Sequence, residues 1–114
     1  MAYDEELAER VRALVGNEPG RSEKTMFGGL ATLVNGNMAV AARSKGGLLV
    51  RVPADEEEAA LAEPGAALAV MQGRPMSGWF TVEASGCETD ADLARWVARG
   101  LSVARALPAK KSKK

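Results

Sequence analysis

Chemically reactive side chains are few in this sequence. Its 114 residues include one cysteine, Cys87, and no histidine. Zinc sites built from cysteine and histidine are thereby excluded, and acid–base catalysis near neutral pH would need a strongly shifted carboxyl, amine or thiol. The acidic run from Asp55 to Glu58 lacks the spacing and central glycine of an EF-hand loop, so it is predicted to be a solvated first helical turn. We therefore expect no enzyme activity, metal site or cofactor.

Cys87 lies in "ASGCETD", just before a predicted helix. A helix N-terminus favours the reactive thiolate, but the neighbouring carboxylates of Glu88, Asp90 and Asp92 oppose it. An ordinary loop cysteine is therefore expected, with a catalytic or redox role as the alternative.

The glycines in "KTMFGGLATLVNGNM" raise the question of a phosphate-binding loop. A P-loop that ends at Lys24 would need glycines where the sequence has Glu18 and Glu23. A dinucleotide-binding fingerprint would need a third glycine that opens a helix. Gly28 and Gly29 are therefore predicted to mark a β-bulge or a close backbone approach, and a small-ligand contact is the alternative.

Three helices are predicted to position these residues. The first has apolar residues at helical spacing and ends at Gly16; they are Leu7, Val11, Leu14 and Val15. A short middle helix, "ADEEEAALAE", is stopped by Pro64. Thr89 caps the last helix, and Pro108 stops it. Its apolar stripe consists of Leu93, Trp96, Val97, Leu101 and Ala104.

Strand patterns fill the chain between the helices. The predicted strands are Thr25–Val34, Met38–Arg43, Leu48–Val52, Leu68–Met71 and Trp79–Val82. Asn35-Gly36 between the first two is typical of a type I′ hairpin turn. The order α-βββ-α-ββ-α predicts a two-layer α+β domain, in which an antiparallel sheet carries the helices on one side.

The segment "QGRPMSGW" is predicted to be a loop of restricted shape between the last two strands. Pro75 fixes its own backbone, while Gly73 and Gly78 permit sharp turns at either end. Arg74 is expected either to pair with an acidic residue on a neighbouring helix or to project outward as an interface anchor. Met76 either closes the end of the core or joins Arg74 at that interface.

Charge is unevenly distributed along the chain. Residues 1–109 contain 11 basic and 15 acidic residues, a net charge of −4, and the other basic residues are Lys110, Lys111, Lys113 and Lys114. The sequence predicts a folded domain over residues 1–108 and a disordered basic tail over residues 109–114. An acidic body argues against a nucleic-acid-binding surface on the domain, so only the tail lysines are candidate phosphate contacts. No run reaches the length of a membrane span or a signal peptide, and a cytoplasmic location is expected.

Three sequence pieces carry a family resemblance that covers Tyr3 to Pro108. They are Met-Phe-Gly-Gly at Met26–Gly29, Asn-Gly-Asn-Met at Asn35–Met38, and Gly-Arg-Pro-Met with Gly-Trp at Gly73–Trp79. In these features the chain resembles the N-terminal domain of the TfoX/Sxy family, bacterial regulators of competence-gene expression. The resemblance implies an α-β(3)-α-β(2)-α fold similar to that of type III secretion chaperones, and no catalytic residue carries over. Full-length regulators add a C-terminal helical domain and act as coactivators with a catabolite-activator-type transcription factor.

A regulatory or adaptor domain that acts in transcriptional regulation through protein contact is the favoured function. The candidate interaction residues are Arg74, Met76, Trp79, Gly28 and Gly29. Weak nucleic-acid binding through the lysine tail and small-ligand sensing are the alternatives. The expected partner is a protein, and the domain could also pair with a second copy of itself.

Overall fold

The computed structural model describes residues 5–26, 29–44, 46–71 and 73–107. Within these ranges, three helices alternate with six strands. The helices are α1 (Glu5–Val15), α2 (Glu57–Leu61) and α3 (Asp90–Ala106). The strands are β1 (Arg21–Met26), β2 (Gly29–Val34), β3 (Asn37–Ala42), β4 (Leu48–Arg51), β5 (Ala66–Met71) and β6 (Arg74–Val82). Short 3-10 turns at Ala54–Glu56 and Ala84–Cys87 lead towards α2 and α3.

Local sequence signals fix the ends of the long helices. The Thr89 hydroxyl oxygen accepts a hydrogen bond from the Asp92 N–H at 3.1 Å, which confirms the predicted cap of α3. Gly16 follows α1 with a positive φ of 61°, and its N–H donates to the Arg12 carbonyl. The predicted stripe of α3 is buried, whereas Leu14 of α1 is 41% exposed and lies outside the core. No helix in the described ranges is long and apolar enough to cross a membrane.

All strand pairings in the sheet are antiparallel, and the strand order is β1-β2-β3-β4-β6-β5. The predicted α+β class is confirmed, and the helix and strand order agrees except in one segment. The chain predicted as a single strand from Thr25 to Val34 forms two paired strands, with Met26 opposite Gly29. The structure also has strand at Arg21 to Lys24, before the predicted start at Thr25. These residues are polar and exposed, a composition that resembles a loop but also occurs in edge strands.

The three helices pack on one face of the sheet, as predicted. Residues from every helix join one hydrophobic core with the strand residues that face them. Its largest fully buried side chains are Trp96, Phe80, Leu48 and Leu93. The rings of Phe80 and Trp96 have centroids 6.3 Å apart, so α3 is packed directly on the centre of the sheet.

A β-bulge lets α3 approach the sheet closely. The register of β2 and β3 shifts between Thr32 and Leu33, which pair with Val40 and Met38 and leave Ala39 as the extra residue. Gly100 of α3 lies over this bulge, and a Cβ built on it would overlap the Ala39 carbonyl oxygen. The absence of a side chain at position 100 therefore sets the distance between helix and sheet.

Arginine–carboxylate pairs connect the helices to the rest of the domain. Arg105 of α3 binds Glu18, and Arg12 of α1 binds Glu23 of β1. Arg95 binds Glu63, which follows α2, through contacts of 2.8 to 3.2 Å. These hydrogen bonds hold the pKa values of Glu18, Glu23 and Glu63 below the ordinary range.

Acid is therefore expected to weaken the fold. A carboxylate with a lowered folded pKa stabilises the domain above its unfolded value, about 4.3, and that stability is lost as pH falls through the folded pKa. Chemical denaturation at pH values from 7 down to 2.5 should give a free energy of unfolding that is nearly constant above pH 5 and then falls. Glu63→Gln should cost about 2 kcal/mol at pH 7, because the largely buried Glu63 contacts both Arg95 and Arg99, and almost nothing at the acid end. A cost for Glu63→Gln that persists at pH 2.5 would contradict the assigned ion pair.

Candidate functional site

The sheet face opposite the helices, termed here the outer face, is formed by alternate residues of the six strands. Because Val50, Phe80 and Val82 point into the core, their strand neighbours point the other way. One row across the outer face contains Lys24, Ala31, Ala41, Leu49, Thr81 and Ala67. A second group beside it contains Leu33, Met38, Arg51, Trp79, Met76 and Arg74. The described helices leave this face uncovered.

Apolar and charged side chains alternate on the outer face. Leu33, Met38 and Leu49 are partly exposed, whereas the small Ala31 and Ala41 are buried between their neighbours. Lys24 and Arg74 are exposed near opposite sides of the sheet. The centre of the face is therefore apolar and made partly of small side chains, and basic residues lie towards both sides of the sheet.

Arg51 and Trp79 contact each other on this face. They lie directly opposite each other in β4 and β6, and the guanidinium carbon of Arg51 is 4.6 Å from the centroid of the Trp79 ring. This cation–π contact fixes the orientation of the guanidinium group. The Arg51 Nε is buried and has no hydrogen-bond acceptor among the described residues.

Arg74 and Met76 lie on β6, so the prediction of a loop over these residues is wrong. Only residues 72 and 73 separate β5 from β6 in sequence, and Arg74 pairs with Met71. Pro75 is tolerated because β4 pairs with β6 only from Trp79 onward, which leaves one side of β6 free at Pro75.

The backbone around this strand is irregular, as its glycines predicted. Gly73 and Gly78 have positive φ values of 79° and 83°, and the β5–β6 register shifts after Leu68. Arg74 is exposed, and its side chain forms no ion pair with any residue in the described ranges. The predicted pairing of Arg74 with a helical carboxylate is thus absent from the described part of the chain, and its outward orientation agrees with the interface alternative.

Gly29 lies away from the other candidate residues. It begins β2, two strands removed from β4, and a Cβ built on it would overlap the Ala42 carbonyl oxygen at the end of β3. The sequence predicted a β-bulge or the close approach of a helix or partner backbone here; the contact comes instead from β3, the strand paired with β2. Gly28 lies outside the described residues. The structure places Arg74, Met76 and Trp79 on the outer face along β6, and Gly29 at the start of β2, two strands from β4.

Cys87 is a core residue. It is 1% exposed, and its thiol lies 3.6 Å from the Glu83 carbonyl oxygen and 3.7 Å from that of Ala84. Within the described residues there is no cluster of three or more cysteine, aspartate or glutamate side chains placed to hold a metal ion.

The described arginines fall into two groups according to their partners. Each arginine in a helix binds at least one carboxylate; these are Arg10, Arg12, Arg95, Arg99 and Arg105. The described arginines outside the helices have no ion pair with a described residue; these are Arg21, Arg43, Arg51 and Arg74. Two of the unpaired arginines, Arg51 and Arg74, lie on the outer face.

Sequence reasoning missed Arg51, Leu49 and Lys24 as members of the site. The alternation in "LLVRV" could have placed Leu49 and Arg51 on one face of a strand. Their position beside Trp79 depends on the register between β4 and β6, which are separated in sequence by α2 and β5. Only the folded sheet brings these residues together.

Comparison with known proteins identifies the family of this chain. Neither the curated proteins nor the solved structures gave a match to the chain. The family model described as the TfoX N-terminal domain matches residues 14–104, which include all six strands and nearly all of α3. Since this match extends over most of the sequence, the chain belongs to the TfoX N-terminal domain family.

Proposed function

We propose that this domain is a non-enzymatic regulatory adaptor that binds another protein through the outer face. Membership of the TfoX N-terminal domain family supports a regulatory role like that of the competence regulators. Transcriptional regulation is the process that this relationship favours, and the adaptor would act there by protein contact.

The observation that carries this proposal is the grouping of Arg74, Met76 and Trp79 on a sheet face that the described helices leave uncovered. Arginine and tryptophan are the residue types that most often supply binding energy at protein interfaces. Partly exposed apolar residues such as Leu49 lie next to them and offer area that a partner can bury.

The test compares two exposed arginines on opposite sides of the sheet. Arg74 lies on the outer face, whereas Arg21 of β1 pairs with Val34, which faces the helices. Neither forms an ion pair with a described residue, so alanine at either position should change the free energy of unfolding by less than about 0.5 kcal/mol. Tagged wild-type, Arg74→Ala and Arg21→Ala proteins are used to capture partners from cells of the source organism, and bound proteins are quantified by mass spectrometry.

We expect Arg74→Ala to lose a protein that both wild type and Arg21→Ala retain. Unchanged capture by a folded Arg74→Ala protein, or equal loss with both variants, would contradict docking at the outer face.

Nucleic-acid binding through Lys110, Lys111, Lys113 and Lys114 is the second candidate function, and these residues lie outside the described part of the chain. Four clustered lysines should give only weak, non-specific binding that disappears with added salt. A protein truncated after Pro108 should lose that binding and keep the partner that Arg74 captures. Sequence-selective, salt-resistant DNA binding by the truncated protein would favour the nucleic-acid function.

A further inference from the structure

We infer that the outer face recognises an acidic amphipathic segment of its protein partner, with carboxylates at both ends and apolar side chains between them. This inference rests on the proposed function and specifies the chemistry of the partner. Its basis is the placement of charge on the two faces of the sheet.

The described strands place cations and no carboxylate on the outer face; the exposed Glu83 directly follows β6, and its N–H donates to the Gly65 carbonyl just before β5. Glu23 is the one acidic residue within the described strands, and it lies on the helix side, where it binds Arg12. The strand residues on the outer face instead include Lys24, Arg51 and Arg74, and none of them has an ion pair with a described residue. The described strand residues on this face are therefore basic, although residues 1–109 together carry a net negative charge. Complementary charge on a partner would be negative.

Arg51 is already oriented for such a partner. Its guanidinium group is held over Trp79, and its buried Nε lacks an acceptor among the described residues. Guanidinium groups bind carboxylates through paired hydrogen bonds, and stacking reduces the conformational entropy lost on binding. A partner carboxylate would bind the Nη atoms of this group, which have no acceptor among the described residues, because the buried Nε is out of its reach.

The spacing of the cations defines the length of the segment. With neighbouring strands about 4.8 Å apart, Lys24 on β1 is about 14 Å from β4 and about 19 Å from β6, measured across the sheet. Arg51 lies two residues along the strands from the row of Lys24, and Arg74 about four paired positions along them, which lengthens these separations to about 16 Å and about 23 Å. A helix rises about 1.5 Å per residue, so carboxylates about 11 to 16 residues apart would reach both sides. Between them the segment would lie over Ala31 and Ala41 and contact Leu49 with apolar side chains.

A nucleic acid fits this face less well. Sheet surfaces that bind single-stranded RNA usually stack two or three bases on aromatic side chains. Here the described strands present Trp79 alone, which Arg51 already covers, and the centre of the face is apolar. The partly exposed leucine and methionine side chains would lie against phosphates and could not replace the hydrogen bonds that those phosphates make with water.

Two synthetic peptides of about 16 residues test the inference directly. One has glutamate pairs at both ends with leucine and alanine on one helical face between them, and its twin has lysine at every glutamate position. Binding of each labelled peptide to the full chain is measured by fluorescence anisotropy at physiological ionic strength, with a single-stranded DNA oligonucleotide as competitor.

We expect the acidic peptide to bind at least about tenfold more tightly than the lysine twin. Arg51→Gln and Arg74→Gln should each weaken it about fivefold to tenfold, and the control Arg21→Gln by less than about twofold. Arg74 has no described side-chain partner to lose, so its variant remains decisive if Arg51→Gln also lowers stability. Equal affinity for the two peptides, insensitivity to Arg74→Gln, or displacement of the peptide by the oligonucleotide at lower concentration would each overturn the inference.

The result can be separated from the test of the adaptor function. If Arg74→Ala loses its cellular partner but the acidic peptide does not bind, the adaptor proposal stands and the acidic segment is wrong. If the acidic peptide binds with the expected arginine dependence but partner capture is unchanged, the charge preference stands and the adaptor function through this face is wrong.

Discussion

Replacing Gly100 with valine is expected to lower the free energy of unfolding by about 3 kcal/mol. A Cβ at this position would overlap the Ala39 carbonyl oxygen and lie 2.9 Å from its carbon and 3.1 Å from the Val50 Cγ2. Backbone cannot rotate away as a flexible side chain does, so α3 or the β3 bulge must shift. Both belong to the core, which is close-packed and resists such shifts.

Ser102→Val is the matched control, because Ser102 lies on the same helix and is exposed. It should change stability by less than about 1 kcal/mol in urea denaturation. Gly100→Ala shows whether the steric overlap with β3 outweighs the higher helix propensity of alanine. Helix propensity alone predicts a gain of about 1 kcal/mol from alanine, so a stabilised Gly100→Ala protein would contradict the close approach of α3 to β3.

Arg99→Gln is expected to cost about 2 to 3 kcal/mol, since it removes one side of a largely buried ion pair. Arg99 is 9% exposed, and its Nε donates to Glu56 at 3.0 Å. Its Nη1 lies 2.6 Å from Glu63 Oε2 in an ion contact that lacks hydrogen-bond alignment, and its guanidinium carbon is 4.7 Å from the centroid of the Trp96 ring. The residue thus holds the α2 region against α3.

Arg95→Gln provides the comparison because Arg95 also binds Glu63, but its side chain is 43% exposed. Solvent-exposed ion pairs contribute little, so this variant should cost less than about 1 kcal/mol. Equal losses in thermal and urea unfolding for the two variants would contradict the role assigned to burial at Arg99.

The helices and the core were largely predictable from sequence. The stripe of α3 follows a 3.6-residue period, and all its predicted members, including Trp96 and Leu101, are buried. Asn35 and Gly36 both have positive φ, as a type I′ turn requires. Local chemistry determines each of these features, so the sequence carries the signal.

The sheet edges and the candidate site were less predictable. Strand β1 is polar, as an edge strand can be. The sequence pattern predicts one continuous strand with an irregularity at its glycines, whereas Met26 and Gly29 pair across two strands. Pro75 lies between Gly73 and Gly78, a composition typical of a loop, yet Arg74 to Met76 pair with β5. The outer face depends on strand order and register, and these long-range properties leave little trace in a single sequence.

Site-specific photo-crosslinking most directly tests whether the outer face is the docking surface. A photoreactive amino acid replaces Leu49 at the centre of the outer face in one protein and the exposed Ser102 of α3 in another. After irradiation in the source cells, the outer-face protein should form a discrete crosslinked complex with a partner, while the α3 protein should remain uncrosslinked. A complex that forms from position 102 and not from position 49 would contradict the account and place the interface on the helical side of the domain.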